Sequence, residues 1–186
     1  MFKILAPLLL LITAHVVFAG EPDLVRKNNN DVAIDGYSPV SYFQRGKPEQ
    51  GSADFSSEFQ GATYWLTDAE QLVLFEASPE KYIPAHGGWC SLMLSGSGRL
   101  SAANPNSFKI VDNRLLLFWA GDFNGQQISG LANWESKGPD QKTLKKADKQ
   151  WQKLLSGKSD AEIIVFADHD YARLSDQDKA VAIRHQ

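Results

Sequence analysis

The chain has 186 residues, of which 43% are hydrophobic, 11% aromatic and 22% charged. That composition fits one globular domain and excludes wholesale disorder and fibrous repeats. The formal net charge of −3 speaks against nucleic-acid binding, and a single cysteine, Cys90, excludes an internal disulfide framework and a four-cysteine zinc site.

Lys3 gives a short positive start, Ile4 to Phe18 is almost unbroken hydrophobe, and Val17-Phe18-Ala19 offers compact residues before a cleavage point. The pattern predicts a secretory signal peptide over residues 1–19. The run is shorter than the ~20 residues a membrane-spanning helix needs. The mature chain is expected to carry no membrane span and to be exported, to the periplasm if the cell is Gram-negative.

Val32-Ala33-Ile34 and Val40 to Phe43 are brief apolar runs, stopped by Asp35-Gly36 and by Gly46-Lys47-Pro48. Gln60-Gly61 turns the chain into Ala62 to Leu66, rich in strand formers. Thr67 and Glu70 have the spacing of a capping box, which predicts a helix from Asp68 that ends before Ser78-Pro79. Ser78 and Pro79 suit the start of a second, short helix that Pro84 closes. Phe108 to Val111 and Leu115 to Trp119 flank Asp112-Asn113-Arg114, a hairpin signal. Asp140 is expected to cap a last helix whose inner face holds Leu144, Ala147, Trp151 and Leu154. No internal repeat is legible. The expected fold is α+β, a small compact domain of short antiparallel strands with several short helices. It spans residues 20–157, and residues 158–186 form a C-terminal extension with the apolar run Ile163 to Phe166. Within that extension, Asp168-His169-Asp170 reads as solvated surface.

Chemistry concentrates in Tyr82-Ile83-Pro84-Ala85-His86-Gly87-Gly88-Trp89-Cys90-Ser91. Two glycines permit a tight turn. Cys90 would sit in the first turn of the following helix, where N–H groups and the helix dipole favour a thiolate. His86 lies four residues earlier, so imidazole and thiolate form a candidate metal pair of copper or zinc type. The expectation is a reactive thiol at the rim of a cleft. Packing of Cys90 as a small hydrophobe beside Trp89 is the alternative.

The order Asp31 to Phe43, then Gly46-Lys47-Pro48 and Gly51, Phe55, Phe59, Gly61 to Trp65, Phe75, Pro79 to Tyr82, Pro84, Gly87-Gly88-Trp89-Cys90, Pro105, Val111-Asp112, Leu115 and Ala147-Asp148 with Trp151 resembles the exported branch of the YHS-domain proteins. The resemblance covers about Asp31 to Trp151. It implies a domain suspected of binding metal, whose Gly-Gly-aromatic-Cys motif carries selenocysteine in some members. Metal-associated YHS domains usually offer two cysteines, and this chain has one. His86 stands where an aromatic residue is usual, and Leu116 and Phe118 stand where tyrosines are usual.

Three functional readings follow. One is metal handling through Cys90 and His86. Another is thiol redox chemistry at Cys90. The last is a non-catalytic binding module whose pocket draws on Tyr37, Tyr42, Tyr64, Trp65 and Trp89, with Tyr82, Gly87 and Gly88 as further candidates. No phosphate loop, Ser-His-Asp order or paired carboxylates stand out, so no nucleotide cofactor is expected and catalysis is not favoured. Intact-mass measurement on the exported fraction should find a chain starting at Gly20, and a membrane-held species starting at Met1 would refute export by cleavage.

Overall fold

The structure is a computed structural model that describes residues 24–164. The expected signal peptide, Val165-Phe166 and Asp168-His169-Asp170 lie outside the described residues. Among the described residues, no helix is long and apolar enough to cross a membrane.

The domain is α+β, built on short antiparallel hairpins clasped by short helices. Helix α1, Pro39–Gln44, begins with a proline at its first position, where the fixed φ suits a helix and no N–H is lost. Strands β1, Ser52–Phe59, and β2, Ala62–Leu66, form the first hairpin. Its two-residue turn has positive φ at both Gln60 (49°) and Gly61 (74°), the geometry that matches strand twist.

Helix α2, Ala69–Ala77, starts one residue later than the capping-box spacing predicts. The cap is Asp68, whose carboxylate accepts from the Gln71 N–H at 2.9 Å. Thr67 donates its hydroxyl to that carboxylate instead of capping. Helix α3, Pro79–Tyr82, follows directly; the Ser78 hydroxyl donates back to the Ala77 carbonyl and leaves the α3 start uncapped.

Helix α4 is Ser91–Ser97, and β3 is Leu100–Ser101. The predicted second hairpin is present as β4, Asn104–Val111, and β5, Arg114–Phe118, turning at Asp112 and Asn113 with φ of 50° and 58°. A third hairpin follows, β6, Ala120–Phe123, with β7, Gln126–Ser129. Helix α5 is Gly130–Glu135 and α6 is Asp140–Leu155. Pro139 is the α6 cap, not Asp140. The Asp140 carboxylate accepts from Trp134 Nε1 at 2.6 Å and from Lys109 Nζ at 3.1 Å, tying α6 to α5 and β4.

Strand β8, Ile163–Ile164, lies parallel to β3. The Leu100 N–H donates to the Glu162 carbonyl at 2.8 Å, and Arg99 pairs with Glu162. Part of the expected extension therefore returns to the body of the domain.

The main core runs through both large hairpins, joining Tyr42, Tyr64, Leu66, Phe75, Leu115 to Phe118 and Trp134. Four consecutive residues, Leu115 to Phe118, are buried because β5 is covered on both faces. A smaller cluster of Trp89, Leu94, Leu100, Ala147 and Leu154 seats α6 against α4. Leu116→Ala, at a site with 0% exposure, should cost about 2–5 kcal/mol, read as a lower denaturation midpoint at unchanged slope. A cost below about 1 kcal/mol would show that β5 is not central.

Candidate functional site

Pro84 ends the α3 region, and the chain then takes three consecutive left-handed residues, His86, Gly87 and Gly88, with φ of 56°, 62° and 84°. Gly87 is required for a second reason. A Cβ there would lie 2.5 Å from the Leu24 carbonyl oxygen and 2.9 Å from the Trp151 ring. The N-terminal segment lies along this turn: the Arg26 N–H donates to the Gly87 carbonyl at 2.8 Å, and Trp89 Nε1 donates to the Leu24 carbonyl at 2.8 Å.

The turn delivers His86 to a carboxylate. Nε2 of the buried ring lies 3.0 Å from Asp148 Oδ1, and Nδ1 lies 2.9 Å from the Ser91 hydroxyl. A carboxylate only accepts, so Nε2–H donates to Asp148 and Nδ1 accepts from Ser91. Arg114 completes the group with two bonds to the same carboxylate, at 3.0 and 2.8 Å. Burial pushes the His86 ring down from its usual range despite Asp148. The His86 hydrogen bond, with Arg114 beside it, holds the Asp148 carboxyl well below the usual carboxylate range.

Ser91, His86 and Asp148 have the residue types of a hydrolytic triad, but Ser91 is 0% exposed, so no substrate reaches its hydroxyl. The group works as a brace that fixes α6 to the glycine turn and to β5.

Cys90 corrects the expectation of a rim thiol. It is the N-cap of α4, 2% exposed, and its N–H donates to the Ser101 carbonyl at 3.0 Å. Burial pushes the thiol up; the N–H groups of Trp119, Met93 and Leu92 and the Ser101 hydroxyl act the other way and are outweighed. The helix start is as expected, but β5 and β3 close over the sulfur. His86 is not free to join Cys90 on an ion, since Ser91 and Asp148 already engage both ring nitrogens. Among the described residues, no three or more His, Cys, Asp or Glu side chains gather where they could hold a metal. The residues present do not fit a copper or zinc centre at Cys90.

A concave feature lies beside this loop. A cleft of about 680 Å³ is walled by Leu24 and Val25, by the turn residues Gln60 and Gly61, by Asn113 and Arg114, and by Trp151, Gln152 and Leu155 of α6. Tyr64, Ile83, His86, Gly87 and the oppositely charged Glu80 and Lys81 also line it. Tyr64 and Gly87 are thus the aromatic and glycine candidates that reach it. Tyr42, Tyr82, Gly88 and Trp89 are buried instead, Tyr37 and Trp65 are partly buried, and none of the six lines the cleft. Tyr42 donates its hydroxyl to the Pro105 carbonyl at 2.9 Å, and burial raises its hydroxyl above the usual range. Sequence reasoning assigned no role to Arg114 or Asp148. Asp148 stands within the Ala147-Asp148 match to the YHS pattern, the one signal that marked it.

Comparison of the chain with protein-family models, with curated proteins and with solved structures finds no match.

Both shifts make acid destabilising. The native His86 ring resists protonation while the unfolded ring accepts it, so its contribution is complete above pH ~6.5 and shrinks below that. The Asp148 contribution is complete above about pH 4 and lost only as the pH falls further. The melting temperature should therefore drop between pH 8 and pH 5, and His86→Gln should flatten that drop. A flat wild-type profile over this range would mean that His86 titrates normally in the fold.

Proposed function

We propose that this chain is an exported protein of the YHS type that binds a small amphipathic organic molecule in the cleft, without catalysing its conversion. The observation that carries the reading is the cleft itself. Its volume of about 680 Å³ falls in the range of small-molecule sites, ~300–1,000 Å³. Its walls set apolar surface from Trp151, Leu155, Ile83 and Leu24 beside amide groups from Gln60, Gln152 and Asn113 and charged groups of both signs from Arg114, Lys81 and Glu80. Such a lining suits a ligand with one flat apolar face and one polar end. The brace of His86, Asp148 and Arg114 holds α6, and with it Trp151, in place before a ligand arrives. Preorganisation of this kind lowers the ordering cost of binding.

Metal handling and thiol chemistry both need the Cys90 sulfur within reach, and its burial favours neither. The YHS assignment rests on the motif order from Asp31 to Trp151, and export rests on the first 19 residues.

The dye 8-anilinonaphthalene-1-sulfonate, which has an aromatic face and a sulfonate, is a suitable probe. Its fluorescence should rise saturably on the folded protein. Gln152→Trp, at an exposed α6 position on the cleft wall, should weaken binding by about tenfold or more at an unchanged melting temperature. Dye binding that ignores this substitution would place the site elsewhere and overturn the reading.

A further inference from the structure

Two stretches of the chain repeat one conformation at a constant offset of 52 residues. The first hairpin pairs Ser52 with Leu66, then Ser56 with Trp65 through Phe59 with Ala62. The second pairs Asn104 with Phe118, then Phe108 with Leu117 through Val111 with Arg114. Each position is the first hairpin's shifted by 52, and the register irregularity falls at the same place, between Ser52 and Ser56 in one and Asn104 and Phe108 in the other.

Hairpins are common, but what precedes these is not. Ile34, Asp35 and Gly36 have φ of 54°, 51° and 83°, and His86, Gly87 and Gly88 have 56°, 62° and 84°. Three left-handed residues in a row are costly, the more so when one is the β-branched Ile34. The bonds around them also correspond. The Tyr37 N–H donates to the Ile34 carbonyl at 3.0 Å as Trp89 does to His86 at 3.1 Å. The Ser38 N–H donates to the Glu49 carbonyl at 2.9 Å as Cys90 does to Ser101 at 3.0 Å. Val32 bridges Thr63 in parallel as Pro84 bridges Leu115. A short helix follows each turn, α1 from Pro39 and α4 from Ser91, and packs on the second strand of its own hairpin.

We infer that residues 32–66 and 84–118 are two copies of one structural unit, and that the cleft is the seam between them, its ligand touching the matched turns Gln60-Gly61 and Asp112-Asn113 through Gln60, Gly61 and Asn113. The seam rests on the ligand-binding reading above; the duplication does not. Only three positions remain identical between the copies, Ala33 with Ala85, Gly36 with Gly88 and Gly46 with Gly98. Both glycine pairs stand at positive φ, where other side chains are strained.

The differences between the copies are as informative. Ile34 and Ala62 of the first unit correspond to His86 and Arg114 of the second, and those two side chains are the ones that hold Asp148. Asp35 corresponds to Gly87, whose bare backbone admits Leu24 and Trp151. Arg26 spans both turns, with its main-chain N–H on Gly87 and its guanidinium 3.2 Å from Asp35. Cys90 occupies the place of Ser38, and both are buried N-caps. The thiol of the second copy therefore stands where the first copy uses a hydroxyl.

Two sets of variants decide the matter. Cys90→Ser restores the first copy's residue at the matched cap position and should hold the melting temperature within about 2 °C, whereas Cys90→Ala, which leaves the buried place of the sulfur empty, should lower it by about 2–8 °C. A serine variant that melts as low as the alanine variant would overturn the equivalence of the two units. Gln60→Glu and Asn113→Asp, which keep the shape of each side chain and, at Asn113, a residue that tolerates positive φ, should each weaken binding of the anionic 8-anilinonaphthalene-1-sulfonate by about threefold or more in proteins that melt like the wild type. Weakening by only one of the two would overturn the seam. A wild-type chain that binds no dye would overturn the ligand reading and the seam together, while the melts still decide the duplication.

Discussion

The carboxylate of Asp148 is the tie on which the arrangement depends. It sits on α6, and it accepts from a ring carried by the glycine turn and from a guanidinium carried by β5. Three elements distant in sequence are thereby fixed at one point. An exposed ion pair would add little. This one gains from a His86 ring with no solvent contact and from the two-bond geometry of Arg114, which favours a single placement of the helix. The placement of α6 in turn sets Trp151 over Gly87 and closes one wall of the cleft.

Cys90 and His86 lie four residues apart and meet different fates. Between them the chain leaves its left-handed turn at Trp89, whose extended backbone passes from the cleft to the core. His86 stays at the cleft wall with both nitrogens engaged. Cys90 is carried under β5, where it bridges Leu117 and joins the main cluster. A thiol in that position is small and apolar, which suits a cap residue that must pack, and its side chain makes no capping hydrogen bond.

The third hairpin shows how the second unit is elaborated. It begins directly after β5, and its base is closed by the Gly130 N–H on the Trp119 carbonyl at 2.8 Å. A Cβ at Gly130 would lie 2.6 Å from that oxygen, so glycine permits the close return. The excursion leads into α5, whose Trp134 packs on Phe118 and donates to Asp140 at the start of α6. The first unit reaches α2 without any such insertion.

The sequence by itself determined the local elements. Asp112-Asn113 and Gln60-Gly61 announced their hairpins because few residues tolerate positive φ, and the apolar spacing of Leu144, Ala147 and Leu154 marked the buried face of α6. Asn124-Gly125 carried an equally strong turn signal for the third hairpin, but its flanking strands, Ala120–Phe123 and Gln126–Ser129, are too polar to read as strands. Caps were legible only to within a residue, since Thr67, Asp68 and Asp140 all have side chains suited to the role and geometry selects among them. What only the tertiary structure decided is where each side chain faces. A helix start favours a thiolate, but the burial imposed by β5 outweighs it, and burial is a property of contacts between distant segments. The equivalence of the two units was hidden for the same reason: backbone conformation constrains residue type strongly only at the left-handed positions, so the glycines persisted while the remaining side chains answered to their separate surroundings.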